Sequence, residues 1–244
     1  KTTLEENLKM IKETISFFVS KGKTVIYDAE HFFDGYINNP EYAIKTLEAA
    51  VEGGAKVLSL CDTNGGRFPL EIYDIISNIN NIFKDVTIGI HCHNDSGLAV
   101  ANSIMAVEAG ATHVQGTYIG FGERCGNANL STIIADLQIK KGYMCIPSDK
   151  LNELTPAAHK IASIANMILE NGMPFVGKSA FAHKGGMHID GVTKISRSFE
   201  HIDPSILGNE RRFLMSEVSG RSTILKKLQE IDPSLTKDSP ETKA

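Results

Sequence analysis

His91 and His93 stand two residues apart at the end of an apolar run, VTIGIHC. On a strand that spacing turns both imidazoles to one face. Two imidazoles aimed at one point, with Asn94 and Asp95 beside them, are natural ligands for a divalent transition metal such as Zn, Mn or Co. The competing reading makes one a hydrogen-bonded core histidine and the other a surface residue. Three further apolar runs end in the same way. Asp28, Glu30 and His31 follow the first, and Asp62, Thr63 and Asn64 the second; the fourth leads into GFGERCGN, residues 120–127. A purely structural sheet has no need of acids, imidazoles and amides at four consecutive strand ends.

Each of these residues has a chemical and a plain reading. Glu30 closes a buried strand, where desolvation raises a carboxyl pKa toward general-base use; it is otherwise a salt-bridged loop acid. Thr63 either donates to a substrate carboxylate or caps the next turn. The amide oxygen of Asn127 suits a metal, while its backbone position suits the start of a helix. Three glycines among residues 120–127 let backbone approach a ligand, although the spacing is not that of a dinucleotide-binding loop. A second histidine cluster, His183 and His188 with Lys184 in AFAHKGGMHIDG, is either functional or an exposed polar loop.

The elements that must position these groups repeat. Leu4, Leu8, Ile11, Ile15 and Phe18 line one face of a helix over 3–20, with Thr3 and Glu6 fitting a capping box. Strands are expected at 23–29, 56–61, 86–92 and 113–118. Helices are expected over 40–53, 69–81, 96–109 and 127–141; Asn39–Pro40 opens the first of them and Gly53–Gly54 ends it. Strand midpoints Val25, Val57, Ile88 and Val114 are 32, 31 and 26 residues apart, a spacing that suits parallel strands joined by crossover helices. Apolar strands without alternation imply a sheet covered on both faces. Four such units make about half of a (β/α)8 barrel, with an open doubly wound sheet as the alternative. Residues 1–146 therefore read as a partial barrel. Residues 147–244 read as a linker and a small helical subdomain, with helices over 149–171 and 220–230, little periodicity over 174–218 and a polar tail.

With 244 residues, 42% of them hydrophobic and 22% charged, the chain has the composition of a soluble globular protein. A net charge of −4 offers no field for nucleic acid or an anionic membrane. No apolar run reaches the length of a spanning helix. Four irregularly spaced cysteines indicate neither a disulfide framework nor a zinc ribbon, so a reducing cytoplasm is the expected compartment. The first residue is Lys1 and it opens directly onto a helix, which reads as part of a longer chain.

The segment GIHCHNDSGLAVANSIMAVEAGATHVQGTYIGFGERCGNANL resembles the second signature of the 2-isopropylmalate, homocitrate and citramalate synthases, metal-dependent acyltransferases on a TIM barrel. VIYDAEHFFDGY, LSLCDTNGG, AFAHKGGMHIDGV, EHIDPSILGNERR and SEVSGRS are similar to its long bacterial citramalate synthase branch. The resemblance implies a C-terminal half barrel with a helical subdomain, and condensation of acetyl-CoA with pyruvate in isoleucine biosynthesis. It implies His91, His93 and Asn127 as ligands of a divalent metal (Mn, Zn, Co or Mg), Glu30 at the reacting centre and Thr63 on the oxo-acid carboxylate. It also implies a homodimer in which His188 reaches the neighbouring subunit's site. Alternatives within this reading are a 2-isopropylmalate or homocitrate synthase, an acyl-CoA carbon–carbon lyase on the same barrel, or a non-catalytic piece that dimerises. The family's first signature, Asp-Thr-Thr-Leu-Arg-Asp-Gly-like, is absent, so residues 1–244 alone are expected to be inactive. Phe199 stands where some members carry a catalytic tyrosine.

Overall fold

The computed structural model describes residues 2–214, 221–229, 231–236 and 238–240. The chain divides into two compact units, Lys1–Ile133 and Ile134–Ala244. In the first, helix α1 (Leu4–Ser20) starts where the Thr3 hydroxyl accepts the Glu6 amide. Strand β1 (Ile26–Ala29) follows, then a short helix α2 (Phe32–Asn38) that the apolar pattern does not announce. Helix α3 (Pro40–Gly53) begins at Asn39, whose side chain accepts the Tyr42 amide, and stops at Gly54 in the left-handed conformation. Helix α1 packs on α3. A Cβ at Gly53 would stand 2.9 Å from the Ile15 Cβ, so only glycine allows so close an approach.

The unit then runs through β2 (Val57–Asp62), α4 (Pro69–Ile82), β3 (Thr87–Cys92), α5 (Ala99–Glu108), β4 (His113–Gln115) and α6 (Leu130–Ala135), whose end enters the second unit. The strands form one parallel sheet in the order β1-β2-β3-β4. Leu58, Leu60, Ile88 and Ile90 lie on its helix-covered face and are buried together with Leu47, Ile72, Ile76 and Ile79 of the helices. The opposite face differs from the expected apolar cover. In register it carries the rows Asp28–Ser59–Gly89–His113 and Cys61–His91–Gln115, which are polar. Strand alternation thus separates a packing face from a chemical one.

The helix expected over 127–141 starts at Leu130 and passes into a π-helical turn, Asp136–Lys140. In the second unit a 3-10 turn, Ser148–Glu153, leads into α7 (Leu154–Ile164), which stops short of the expected 171. The stretch without periodicity contains β5 (Ala182–His183), α8 (Gly186–Lys194) and β6 (Arg212–Phe213), with β5 and β6 paired in parallel. A last helix, α9, spans Arg221–Gln229. Residues 215–220, among them most of SEVSGRS, lie outside the described residues, as do Lys1, Glu230, Lys237 and the last four residues of the tail.

A buried ion network ties β5, β6 and the segment between them. Glu200 is 5% exposed. It accepts His183 Nε2 at 3.0 Å and a fork from Arg211, Nε at 2.7 Å and Nη2 at 2.6 Å. Burial alone would push the Glu200 carboxyl up, but the Arg211 and His183 hydrogen bonds together hold it below its ordinary value. A depressed folded-state pKa adds stability above the unfolded value, and that stability is lost as pH falls through the folded value. Glu200→Gln is therefore expected to cost about 2–3 kcal/mol at neutral pH, since one partner of a buried pair is stranded while Arg211 keeps some contact with water. The wild type should lose this advantage as pH drops below the ordinary glutamate value of 4.5. Urea midpoints for both proteins between pH 7 and pH 3 check it; parallel pH profiles would contradict the assignment.

Candidate active site

The site is built on the end of β3. His91 and His93 share the polar face, their ring centroids 5.3 Å apart and tilted by 38°. His91 Nδ1 lies 2.8 Å from Gln115 Oε1 on β4. His93 Nδ1 is shut off from water and hydrogen-bonds to no described residue. Burial, then the neighbouring His91 and Arg124, hold the His93 pKa below the ordinary imidazole value. That direction favours the neutral ring, the form in which an imidazole ligates a metal.

Asn127 reaches His93 because the chain doubles back after β4. Thr117 donates its amide to the Ala128 carbonyl at 3.0 Å, and Ala128 donates to the Cys92 carbonyl at 2.9 Å. His93 and Asn127 consequently pair as an antiparallel bridge. The turn needs glycine at Gly122, where φ is +157° and a Cβ would collide with the Asn127 side chain. Asn127 Nδ2 donates to the Phe121 carbonyl at 3.1 Å, whereas its Oδ1 is buried without a partner among the described residues. The helix-capping reading does not hold: the following helix is opened by Asn129, whose Oδ1 accepts the Ser131 amide and hydroxyl. An orphaned imidazole nitrogen and an orphaned amide oxygen on bridged residues, beside a second imidazole, fit a divalent metal. Among the described residues no group of three or more His, Cys, Asp or Glu side chains is placed to hold one. The donors at hand are instead two imidazoles and an amide oxygen, a candidate set only.

Glu30 and Thr63 join this face. Thr63 Oγ1 donates to Glu30 Oε2 at 2.9 Å and accepts the His31 amide at 2.8 Å. Arg124 pins their neighbourhood. It forks onto Asp95, Nε to Oδ1 at 2.7 Å and Nη2 to Oδ2 at 2.9 Å, and Nη2 also donates to the Thr63 carbonyl at 2.7 Å. Gly65, at φ +62°, lets Asp95 sit close; a Cβ there would stand 2.6 Å from the carboxylate. Beneath the loop, Asp62 is 1% exposed and accepts the amides of Gly66 and Arg67, both at 3.2 Å. Burial pushes its carboxyl above the ordinary value although those bonds pull the other way. Burial likewise raises the thiols of Cys61 and Cys92, leaving them as inert packing groups.

Five of the six residues singled out from the sequence thus share one face and loop cluster of the first unit. The sixth, His188, is on α8 in the second unit, its ring stacked on Phe199 at 4.1 Å and 16°. Sequence reasoning missed Gln115 and the part played by Arg124. The only sequence signal for Gln115 is its place one residue before Gly116, on the parity of His113. Nothing local ties Arg124 to Asp95, 29 residues away.

Residues 1–168 match the family described as HMGL-like, and residues 175–243 match a domain described as homocitrate synthase post-HMGL domain-like. Five (R)-citramalate synthases are 45–54% identical to the chain. That of Aquifex aeolicus is 54% identical over 243 residues, which is 100% of this chain and 46% of the relative. A 2-isopropylmalate synthase of Pyrococcus abyssi is 35% identical over 96% of this chain and 49% of its own length. The chain spans about half the length of these relatives. Among solved structures, the HMG-CoA lyase of Bacillus subtilis superposes with a TM-score of 0.57 at 26% identity, covering 69% of this chain and 58% of that one. The parallel βα units are the C-terminal half of a (β/α)8 barrel, followed by a small, mostly helical part, and the chain belongs to the HMGL-like family.

Proposed function

We propose that the chain carries the oxo-acid end of an acyltransferase site, in a protein that condenses acetyl-CoA with pyruvate to give (R)-citramalate and CoA. The reaction would serve isoleucine biosynthesis in the cytoplasm. The observation that carries this reading is the pair of buried, unpartnered donors, His93 Nδ1 and Asn127 Oδ1, beside His91 at the strand ends. The choice of pyruvate is supported by 45–54% identity to (R)-citramalate synthases against 35% to 2-isopropylmalate synthases.

His91, His93 and Asn127 would hold a divalent ion (Mn, Zn, Co or Mg) that polarises the oxo-acid carbonyl and stabilises negative charge developing on its oxygen. Arg124 fixes the Thr63 backbone through its carbonyl, and the hydroxyl, whose oxygen accepts the His31 amide, can still swing its own proton. That hydroxyl turns from Glu30 to the oxo-acid carboxylate. Glu30, released from its partner, accepts a proton from the acetyl methyl group; His188 of a second copy is the other base in reach of this reading. The methyl carbon then bonds to the oxo-acid carbonyl carbon, whose oxygen takes up a proton. Water cleaves the thioester and releases the CoA thiol. Phe199 offers no phenol here, only a ring face to His188.

Thiol release by the full-length protein, supplied with acetyl-CoA and Mn²⁺, should show a higher kcat/KM with pyruvate than with 2-oxoisovalerate or 2-oxoglutarate. A preference for 2-oxoisovalerate would make the protein a 2-isopropylmalate synthase. Cleavage of hydroxymethylglutaryl-CoA without condensation would instead favour the lyase chemistry of the solved barrel it resembles.

His93→Ala and Asn127→Ala should each leave less metal on the purified protein by elemental analysis, and lower kcat/KM by at least about 100-fold, the upper range for losing a group one shell further out. Full metal content in either variant would remove that residue from the site.

If His188 acts across a symmetric dimer, mixing inactive His188→Ala and His91→Ala subunits restores activity to about a quarter of wild type, one competent site in half of the dimers. No recovery on mixing, with exchange shown by tagged subunits, would place His188 in its own subunit's site or outside it.

A further inference from the structure

The polar sheet face contains a hydrogen-bonded relay running from β1 to β4. Gln115 Nε2 donates to Asp28 Oδ1 at 2.8 Å, and Gln115 Oε1 lies 2.8 Å from His91 Nδ1. These strands are not neighbours: β2 and β3 stand between them. The relay can bridge them because the intervening residues on that face are small, with Ser59 and Gly89 in one row and Cys61 in the next. Gly89 is required, because a Cβ there would stand 2.9 Å from the His113 ring.

The relay has only one consistent polarity. A carboxylate accepts and does not donate, so the Gln115 amide must turn its NH2 toward Asp28. Its oxygen then faces His91, and an oxygen acceptor requires the proton on Nδ1. The lone pair of His91 is therefore left on Nε2. Reversing the amide would set its oxygen against the Asp28 carboxylate, acceptor facing acceptor, and an NH2 against His91.

We infer that Asp28 and Gln115 are positioning residues that lock His91 in the Nδ1–H tautomer and so present its Nε2 lone pair to a divalent cation. The inference rests on the metal reading only for its last clause, because the tautomer exists with or without metal. Outer partners of this kind fix ring orientation and ligand basicity, and their loss usually weakens metal binding by about 10–100-fold. Neither residue needs to touch substrate.

Long-range proton–nitrogen spectra of the metal-free full-length protein, labelled in its histidines, read the tautomer directly. His91 should show a protonated Nδ1 and an unprotonated Nε2. Asp28→Asn removes the constraint on the amide, so the His91 signals should shift to a mixture of tautomers. Mn²⁺ or Zn²⁺ affinity, measured by chelator competition, should fall by about 10–100-fold in Asp28→Asn and in Gln115→Ala. Combining Asp28→Asn with Gln115→Glu rebuilds the relay with an amide donor at position 28 and a carboxylate acceptor at 115. It should restore the single tautomer and most of the affinity, which a general loss of packing would not allow. An Nε2-protonated His91 in the wild type, or a single unchanged tautomer in Asp28→Asn, overturns the inference. A wild type with the expected tautomer but no affinity for metal would instead sink the proposed function and leave the relay standing.

Discussion

The whole arrangement depends on the side-chain parity of four parallel strands held in register. Cys61, His91 and Gln115 are paired across β2, β3 and β4, so their side chains leave the sheet on the same side. The residues one step away, Leu60, Ile90 and Val114, point toward the helices. A one-residue slip of β3 would exchange its faces, driving His91 into the helix layer and Ile90 into the polar cluster. Burying Leu58, Leu60, Ile88 and Ile90 against the helices forbids that slip. The same packing that stabilises the sheet therefore aims the imidazoles.

Parity positions side chains within the strands, but two of the groups at the site come from loops. Asn127 owes its place to backbone hydrogen bonds that stitch residues 117–128 to the end of β3. Thr63 is held through its carbonyl by Arg124, itself anchored on Asp95. Arg124 and Asp95 remain partly exposed, so their pairing adds little to stability. Its effect is geometric: one guanidinium joins the loops after β2, β3 and β4. In the second unit the division of labour is reversed. Glu200 is almost wholly buried with Arg211 and His183, and this network closes the segment that carries α8 and His188.

Much of this was legible in the sequence. The amphipathic spacing from Leu4 to Phe18, the Asn39–Pro40 start and Gly54 stop of α3, and the apolar runs of β2 and β3 all act over a few residues, and local signals of that range survive folding. His91 and His93 were legible because a spacing of two means one face on any strand. The short helix α2, the late start of α6 at Leu130 and the early end of α7 at Ile164 were not, because tertiary contacts rather than periodicity set those boundaries. The second face of the sheet is polar where the apolar runs suggested another packing face, for an instructive reason. Ser59, Cys61 and Gly89 are small enough to pass for core, yet they keep that face low so that Asp28 and Gln115 can meet above it.

The sequence by itself determined which side chains stand at the strand ends and which of them share a face, because backbone geometry translates spacing into direction. It also carried the family, through motifs long enough to be read without coordinates. Tertiary structure alone decided that Asn127 leaves helix capping to Asn129 and that its Oδ1 is buried without a hydrogen-bond partner among the described residues. It alone joined Arg124 to Asp95, and Asp28 through Gln115 to His91. Those partners are 24 to 87 residues apart in the chain, and contacts across such distances follow from strand order and loop closure, which no local pattern encodes.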